Sequence, residues 1–171
     1  ILSGLTPSDA GHVLGLLSDW DDVAAEKALR LFAMKRTGAG NRLAGDATSM
    51  AQMIVDQLTD QTVTCLLEAA FSDDQRDWGP DDAELARHPL TQAGLDGHRG
   101  VIEADLRLGV PVVGLGASAP SYYGAVGTRL GARMILPAHA GVANAIGAVV
   151  GQISVHAEGS VSAAGQGIYL S

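Results

Sequence analysis

An α/β fold with a helical first part is predicted by three features of the chain. Val110 to Val113 is a short, apolar, β-branched run that leads at once into Gly114-Leu115-Gly116-Ala117. That order reads as a buried strand entering a tight turn before a helix. Val101 to Leu108 alternates, with Ile102, Ala104, Leu106 and Leu108 on one side and Glu103, Asp105 and Arg107 on the other, the period of a half-buried strand. Before about residue 72, apolar residues instead recur at helical spacing. The 171 residues suit one domain. Its expected parts are a helical region at 1–72, a loop-rich insertion at 73–100 and an α/β region at 101–171.

Thr6-Pro7-Ser8-Asp9 is a helix start, with Thr6 as cap, Pro7 at the first helical position and Asp9 in the first turn. This helix is expected to stop near Gly15. Ser18 or Asp19 is expected to cap a second helix from Trp20 to about Arg36. Acidic residues lie early in it and basic ones late, as the helix dipole prefers. Its predicted stripe is Val23, Ala24, Lys27, Ala28, Leu31 and Phe32. Asp46 opens the longest helix, Ala47 to about Phe71. There Met50, Met53, Ile54, Leu58, Cys65, Leu66 and Ala69 keep helical spacing, and Gln57, Gln61 and Thr62 interrupt it.

Ser72 to Gly100 is polar and loop-like, with one short helix predicted from Pro80 to Arg87 and a stop at His88-Pro89. After the glycine turn, Pro120 suits a helix first turn and Tyr122 to Leu130 continues it. Met134 to Leu136 reads as the next strand. His139-Ala140-Gly141 turns into Val142 to Val150, a helix of Ala, Gly, Val, Ile and one Asn. Gln152 to His156 is a further short alternating run, Glu158-Gly159-Ser160 a turn, and Gly167 to Ser171 a last strand.

Composition narrows the function. Apolar residues make up 47% and charged residues 18%, with 22 glycines and 4% aromatics, which suits close backbone packing over a core of Ala, Leu and Val. The net charge of −8 argues against nucleic acid or an anionic membrane as a general partner. Cys65 is the single cysteine, so no disulfide forms within the chain, and a cytoplasmic protein is expected. Cys65 itself is expected as a small buried apolar residue. The chain opens on Ile1 without a basic, signal-like segment. A piece of a longer protein is therefore expected.

Three places could carry chemistry. Amides of Gly114-Leu115-Gly116-Ala117-Ser118, before a helix, can hold an anion or a nucleotide edge, and a tight strand–helix turn needs the same letters. His139, with Gly141 beside it and Asn144 one turn on, can donate to a substrate carbonyl or phosphate. The alternatives are a His that caps its own helix and an Asn that is a buried bridge between backbones. Asp9 and His12 share a helix face. They read either as a catalytic or metal-binding pair, or as a capping Asp and a hydrogen-bonded His. His88 and His98 match no metal-ligand spacing. The chain has no Walker A loop, Cys-x-x-Cys, His-Glu-x-x-His or Gly-x-Ser-x-Gly.

The string VVGLGASAPSYY…LGARMILPAHAGVANAIGAVVG resembles the C-terminal part of the hydantoinase A/oxoprolinase family, and LTPSDAGHVLG near the start resembles a second segment of it. The two anchor the chain from Leu5 to Gly151, with the residues between about Gly38 and Arg99 matched by position alone. The family is similar to a branch of the actin/sugar-kinase/heat-shock superfamily. The resemblance thus implies a ribonuclease-H-like lobe of an actin-like ATPase, a mixed sheet flanked by helices. It implies ATP with Mg as cofactor and ATP-dependent hydrolysis of a cyclic amide such as a hydantoin or 5-oxoproline. ATP-dependent carboxylation by a subunit of the same family, or a non-catalytic assembly lobe, are the alternatives. It further implies a missing N-terminal lobe, and a partner subunit or a homo-oligomer. On this reading Gly114, Gly116 and Ala117 line the adenosine side, and His139, Gly141 and Asn144 the ligand side, with Asp9 and His12 as further catalytic candidates. The superfamily's adjacent Gly-Gly is here Gly-Leu-Gly, and its first-lobe aspartate does not occur in this chain.

Overall fold

The longest helix carries the fold. The computed structural model describes residues 4–74, 76–79, 81–151, 156, 162–165 and 168–170. The expected strand at Gln152–His156 and the turn at Glu158–Ser160 lie largely or wholly outside them. The elements run α1 (Pro7–Val13), α2 (Asp22–Ala33), α3 (Ala47–Asp73), α4 (Asp82–Arg87), α5 (Pro89–Leu95), β1 (Val112–Val113) and α6 (Ala119–Leu130). Next come β2 (Met134–Ile135), a 3-10 turn (Ala140–Val142), α7 (Ala143–Val150), β3 (Ser162–Gly165) and β4 (Ile168–Leu170). The protein is mixed α/β and mostly helical. No helix among the described residues is long and apolar enough to cross a membrane.

α3 starts where the sequence places it, because the Asp46 side chain accepts a 2.7 Å hydrogen bond from the Ser49 amide. Its buried line is Ala47, Ala51, Val55, Thr59, Val63 and Leu67, an i, i+4 series that winds slowly around the helix. The first half packs with Ala10 of α1 and with Leu29 and Ala33 of α2. The second half packs with Ala86 of α4 and with Val126 and Leu130 of α6. Tyr122 touches both clusters and so joins them. Thr59 lies buried on this line because its hydroxyl donates to the Val55 carbonyl at 2.8 Å, which satisfies its one polar group.

Several expectations change. α2 begins at Asp22 rather than Trp20, because Asp21 accepts from the Ala24 amide at 2.9 Å. Its buried face is Ala25, Leu29 and Ala33, while Val23 and Leu31 are exposed. Ala24 and Ala28 on one face and Ala25, Leu29 and Ala33 on the next are both apolar, and the second packs against α3. Cys65 is exposed, since burial on α3 falls to Val63 and Leu67 instead. Residues 73–100 hold two helices, not one. Pro89 ends α4 and also opens α5, whose first turn is capped by His88 Nδ1 accepting from the Leu90 amide at 3.2 Å.

The alternating segment 101–108 is not a strand. Its amides bond to helix ends and turns: Ala104 to the His98 carbonyl, Leu106 to Gly94 and Leu108 to Leu130, at 2.8 to 3.0 Å. Ala104, Leu106 and Leu108 are half-buried as the alternation requires, while Ile102 is 67% exposed. An extended strap over helix termini thus has the same period as a strand. The sheets are small. β1 and β2 pair in parallel, Val112 opposite Met134 and Val113 opposite Ile135, with α6 as crossover. β3 and β4 form a separate antiparallel pair. Of the expected buried run, Val112 alone is buried, and Val110 and Val113 are exposed.

Leu29 is fully buried under α3, so Leu29→Ala should lower unfolding free energy by about 2–5 kcal/mol in urea denaturation. The Ser49 backbone amide, then the Ser49 side chain, hold the Asp46 carboxyl below its ordinary value of 3.8. The folded state binds that proton less readily than the unfolded chain. Its stabilisation is therefore complete above the unfolded value and is lost as pH falls through the lowered one. The gap in urea midpoint between the wild type and Asp46→Asn should be widest near neutral pH and narrow as the medium is acidified below the ordinary carboxylate range.

Candidate functional site

Two turns leave the carboxyl ends of β1 and β2 side by side. After β1, Gly114 donates its amide to the Ile135 carbonyl at 2.9 Å, and Gly116 donates to the Ala140 carbonyl at 2.8 Å. A Cβ at Gly141 would lie 3.9 Å from the Ala117 Cα. The glycine turn and the His139-Ala140-Gly141 turn therefore form one surface. Ligands of parallel α/β sheets gather at this edge, outside the strand ends.

Each residue of this pair has its own constraint. A Cβ on Gly114 would stand 2.6 Å from Leu136 Cδ2 and 3.2 Å from the Tyr123 ring, so its missing side chain serves packing. Gly116 has φ +109°, a backbone state that side chains rarely adopt. Nothing lies within 4 Å of where its Cβ would be, so its backbone is open to approach. Ala117 is exposed on the same turn. Pro120 sits in the first turn of α6, and Ser121, buried behind it, donates to the Ser118 carbonyl at 2.6 Å. The Tyr122 and Tyr123 rings touch at a tilt of 39°, with centroids 4.8 Å apart. Burial, and then the neighbouring Tyr123, push the Tyr122 phenol up from 10.0, which keeps it a protonated donor.

His139 is exposed and precedes the 3-10 turn, but its imidazole makes no cap bond. The self-capping alternative does not hold. Asn144 is exposed and its Oδ1 accepts from the Ala145 amide at 2.9 Å; it bridges no pair of buried backbones. α7 buries none of its residues.

Asp9 and His12 approach from the other side. Thr6 donates both its amide and its hydroxyl to Asp9 Oδ2 at 2.7 Å, so Asp9 caps α1. His12 is 7% exposed and stacks on Trp20 at 5.8 Å between centroids. His12 Nδ1 has no hydrogen-bond partner among the described residues. α1 itself meets the first turn of α6, where a Cβ on Gly11 would stand 3.4 Å from Ser121 Cβ. The helix thus neighbours the glycine turn, while its acid is engaged in a cap and its imidazole in a stack. No group of three or more His, Cys, Asp or Glu able to hold a metal occurs among the described residues. The stretch from Gly109 to Gly151 contains no carboxylate side chain. Hard cations such as Mg need oxygen ligands of that kind, so this donor set does not fit one.

A second polar concavity was not singled out from the sequence. A groove of 690 Å³ lies between α3, α4, α5 and α6, with Gln57, Asp60, Gln61, Arg87, Gln92 and Arg129 on its walls. The one signal for it in sequence was the polar interruption of the α3 stripe at Gln57 and Gln61. Comparison of the chain with family models, with curated proteins and with solved structures gives no match.

Two glycines, one in the turn before α6 and one inside the helix, respond oppositely to a methyl group. Gly116→Ala should lower the unfolding temperature, at a cost of about 1–2 kcal/mol for the forced backbone. Gly124, inside α6 with open space at its Cβ, should gain about 0.5–1 kcal/mol as Gly124→Ala. Thermal denaturation of the two variants beside the wild type measures the contrast.

Proposed function

We propose that this chain is the C-terminal region of a hydantoinase/oxoprolinase-like enzyme, hydrolysing a cyclic amide with ATP. The observation that supports the reading is the joining of two turns at the ends of parallel strands by the 2.8 Å bond from Gly116 to Ala140. It sets the open backbone of Gly116 and Ala117 beside His139 and Gly141. In this proposal the first pair lines the adenosine side and the second the ligand side. ATP, when bound, supplies activation of the ring amide. The chain's own contribution is position: Gly116 offers a backbone that a flat ring can approach, and His139 offers an unengaged imidazole to a carbonyl or phosphate oxygen. Asn144 stands one turn further. Asp9 and His12 serve the site by seating α1 against α6. The finer fold in this reading is a ribonuclease-H-like lobe of an actin-like ATPase, with the metal-binding aspartate supplied by a lobe outside this chain. ATP-dependent carboxylation would use the same surface.

A second reading is favoured by α7. Ile146, Val149 and Val150 are exposed on it and Val142 just before it, Val149 by 85%, as in a lobe that packs on a partner subunit.

In the protein that carries this chain, His139→Ala should lower ATP-dependent ring opening by about a hundredfold, followed as glutamate formed from 5-oxoproline or as N-carbamoyl amino acid formed from a hydantoin. Wild-type turnover would remove His139 from the reaction. Titration calorimetry of ATP into the wild type and into Gly116→Val/Ala117→Leu separates the two readings. Lost binding in the variant supports the enzyme, and unchanged binding supports the assembly lobe.

A further inference from the structure

A separate hollow of 460 Å³ lies where the end of α3 meets the extended strap. Its size falls in the range of small-molecule sites, and its walls share no residue with the paired turns. Leu67 and Phe71 come from the last turns of α3, Trp78 from the loop before α4, Leu106 and Leu108 from the strap, and Val110 from just after it. Two of these large side chains are left open by the fold, Trp78 by 38% and Val110 by 60%. An apolar body seated here would take that surface out of water. The Trp78 ring meets Phe71 edge-on, with centroids 5.7 Å apart, so the two rings make one aromatic wall.

The mouth of the hollow is anionic. Asp73 and Asp74 line it and are both exposed. They stand at the carboxyl end of α3, whose last turn holds no basic residue, so helix dipole and side chains act with one sign there. The Asp74 amide still bonds to the Ala70 carbonyl at 3.0 Å. The two carboxylates therefore rise only about 3–4.5 Å along the helix axis from Phe71, within the length of one small molecule. Nearby cations do not cancel them. Arg107 lines the hollow, but its guanidinium donates to Asp105 at 2.9 and 3.2 Å, and Arg99 shares that carboxylate at 3.1 Å. Arg76 lies over the Trp78 ring, 4.7 Å from its centroid. Among the described residues Asp73 and Asp74 make no ion pair. Asp73, Asp74, Asp77 and Asp105, set against Arg76, Arg99 and Arg107, leave the surroundings net negative. The stretch 68–87 repeats that sign, with seven carboxylates and two arginines.

We infer that this hollow binds an arylalkyl amine, a cation with a ring-sized apolar body. The ring lies against Phe71, Trp78 and Leu108, and the ammonium donates to Asp73 or Asp74. The contact between Arg76 and Trp78 shows that this aromatic wall draws a cation from within the chain. A bound amine adds a second positive charge beside it, so Arg76 opposes the ligand. An aryl acid would bring a third carboxylate up to two others, and a bare amine would leave the walls wet. At 460 Å³ the hollow takes one ring-bearing molecule; a basic peptide is the rival occupant.

Titration calorimetry of tryptamine and 2-phenylethylamine into the protein that carries this chain tests the site. 3-Phenylpropionate is the anionic control and ethylamine the ringless one. At least one aryl amine should bind, and both controls should bind at least about tenfold more weakly. The double variant Asp73→Asn/Asp74→Asn alters exposed side chains and should weaken the aryl amine about tenfold. Arg76→Gln should tighten it about threefold. Trp20→Phe leaves Trp78 as the one tryptophan of this chain, and in the isolated chain with that change 2-phenylethylamine should alter the tryptophan emission. 3-Phenylpropionate binding as tightly as 2-phenylethylamine, unchanged affinity in the double variant, or unchanged Trp78 emission would each overturn the site. So would failure of both amines to bind, and binding of a lysine–leucine peptide in their place would give this face to a basic protein partner.

Discussion

The fold depends on one narrow line along α3. Ala47, Ala51, Val55, Thr59, Val63 and Leu67 are small or branched, and they let helices approach from both sides of one axis. Alanine at the first positions brings α1 and α2 close, with Leu29 filling the space between. Valine and leucine further on give α4 and α6 a broader ridge. Small apolar contacts of this kind act through packing density, because each buried carbon gains a little from many neighbours. Tyr122 then locks the two halves, since it alone of the partly buried aromatics reaches both clusters.

That frame sets where the strand ends can lie. α6 is pinned to α3 by Val126 and Leu130, so its first turn and the glycine bend before it are held in place. β1 and β2 then have little freedom. The short parallel pair, with the Gly116–Ala140 bond beyond it, is a consequence of helix packing more than of sheet strength. Two-residue strands contribute few ladder bonds, and an isolated pair of strands has marginal stability. The same frame opens the polar groove. Where α3 turns Gln57 and Gln61 away from its buried line, Arg87 of α4, Gln92 of α5 and Arg129 of α6 line a polar groove beside the apolar cluster.

Local signals were legible where one residue type had a single physical use. Asp46 capped α3 as its place before a long helical pattern implied, and Pro120 opened α6. The adjacency of the two turns followed from reading strand, turn, helix, strand, turn in order, since parallel neighbours place their carboxyl ends together. Other patterns were ambiguous in kind. The alternation at 101–108 is the period of any extended chain with one buried side. A strand and a strap differ only in what their amides bond to, and the strap's amides find Gly94, His98 and Leu130. The buried face of α2 lies about one residue position from the expected stripe, because Ala24 with Ala28 and Ala25 with Leu29 offer two faces of similar apolarity. Cys65 lost its expected burial in the same way, to the neighbouring Val63 and Leu67.

The sequence by itself determined the mixed α/β class, the caps of α1 and α3, the turn residues around Gly116 and His139, and the acidic, single-cysteine composition. These depend on neighbours within a few residues, where backbone geometry and dipoles act directly. Only the tertiary structure decided which face of α2 is buried, that Asp9 serves a cap and His12 a stack on Trp20, and that Arg129 stands among Asp60, Gln92 and Asp96. Those contacts join residues up to 69 positions apart, and no local pattern encodes a distance that only the packing of four helices creates.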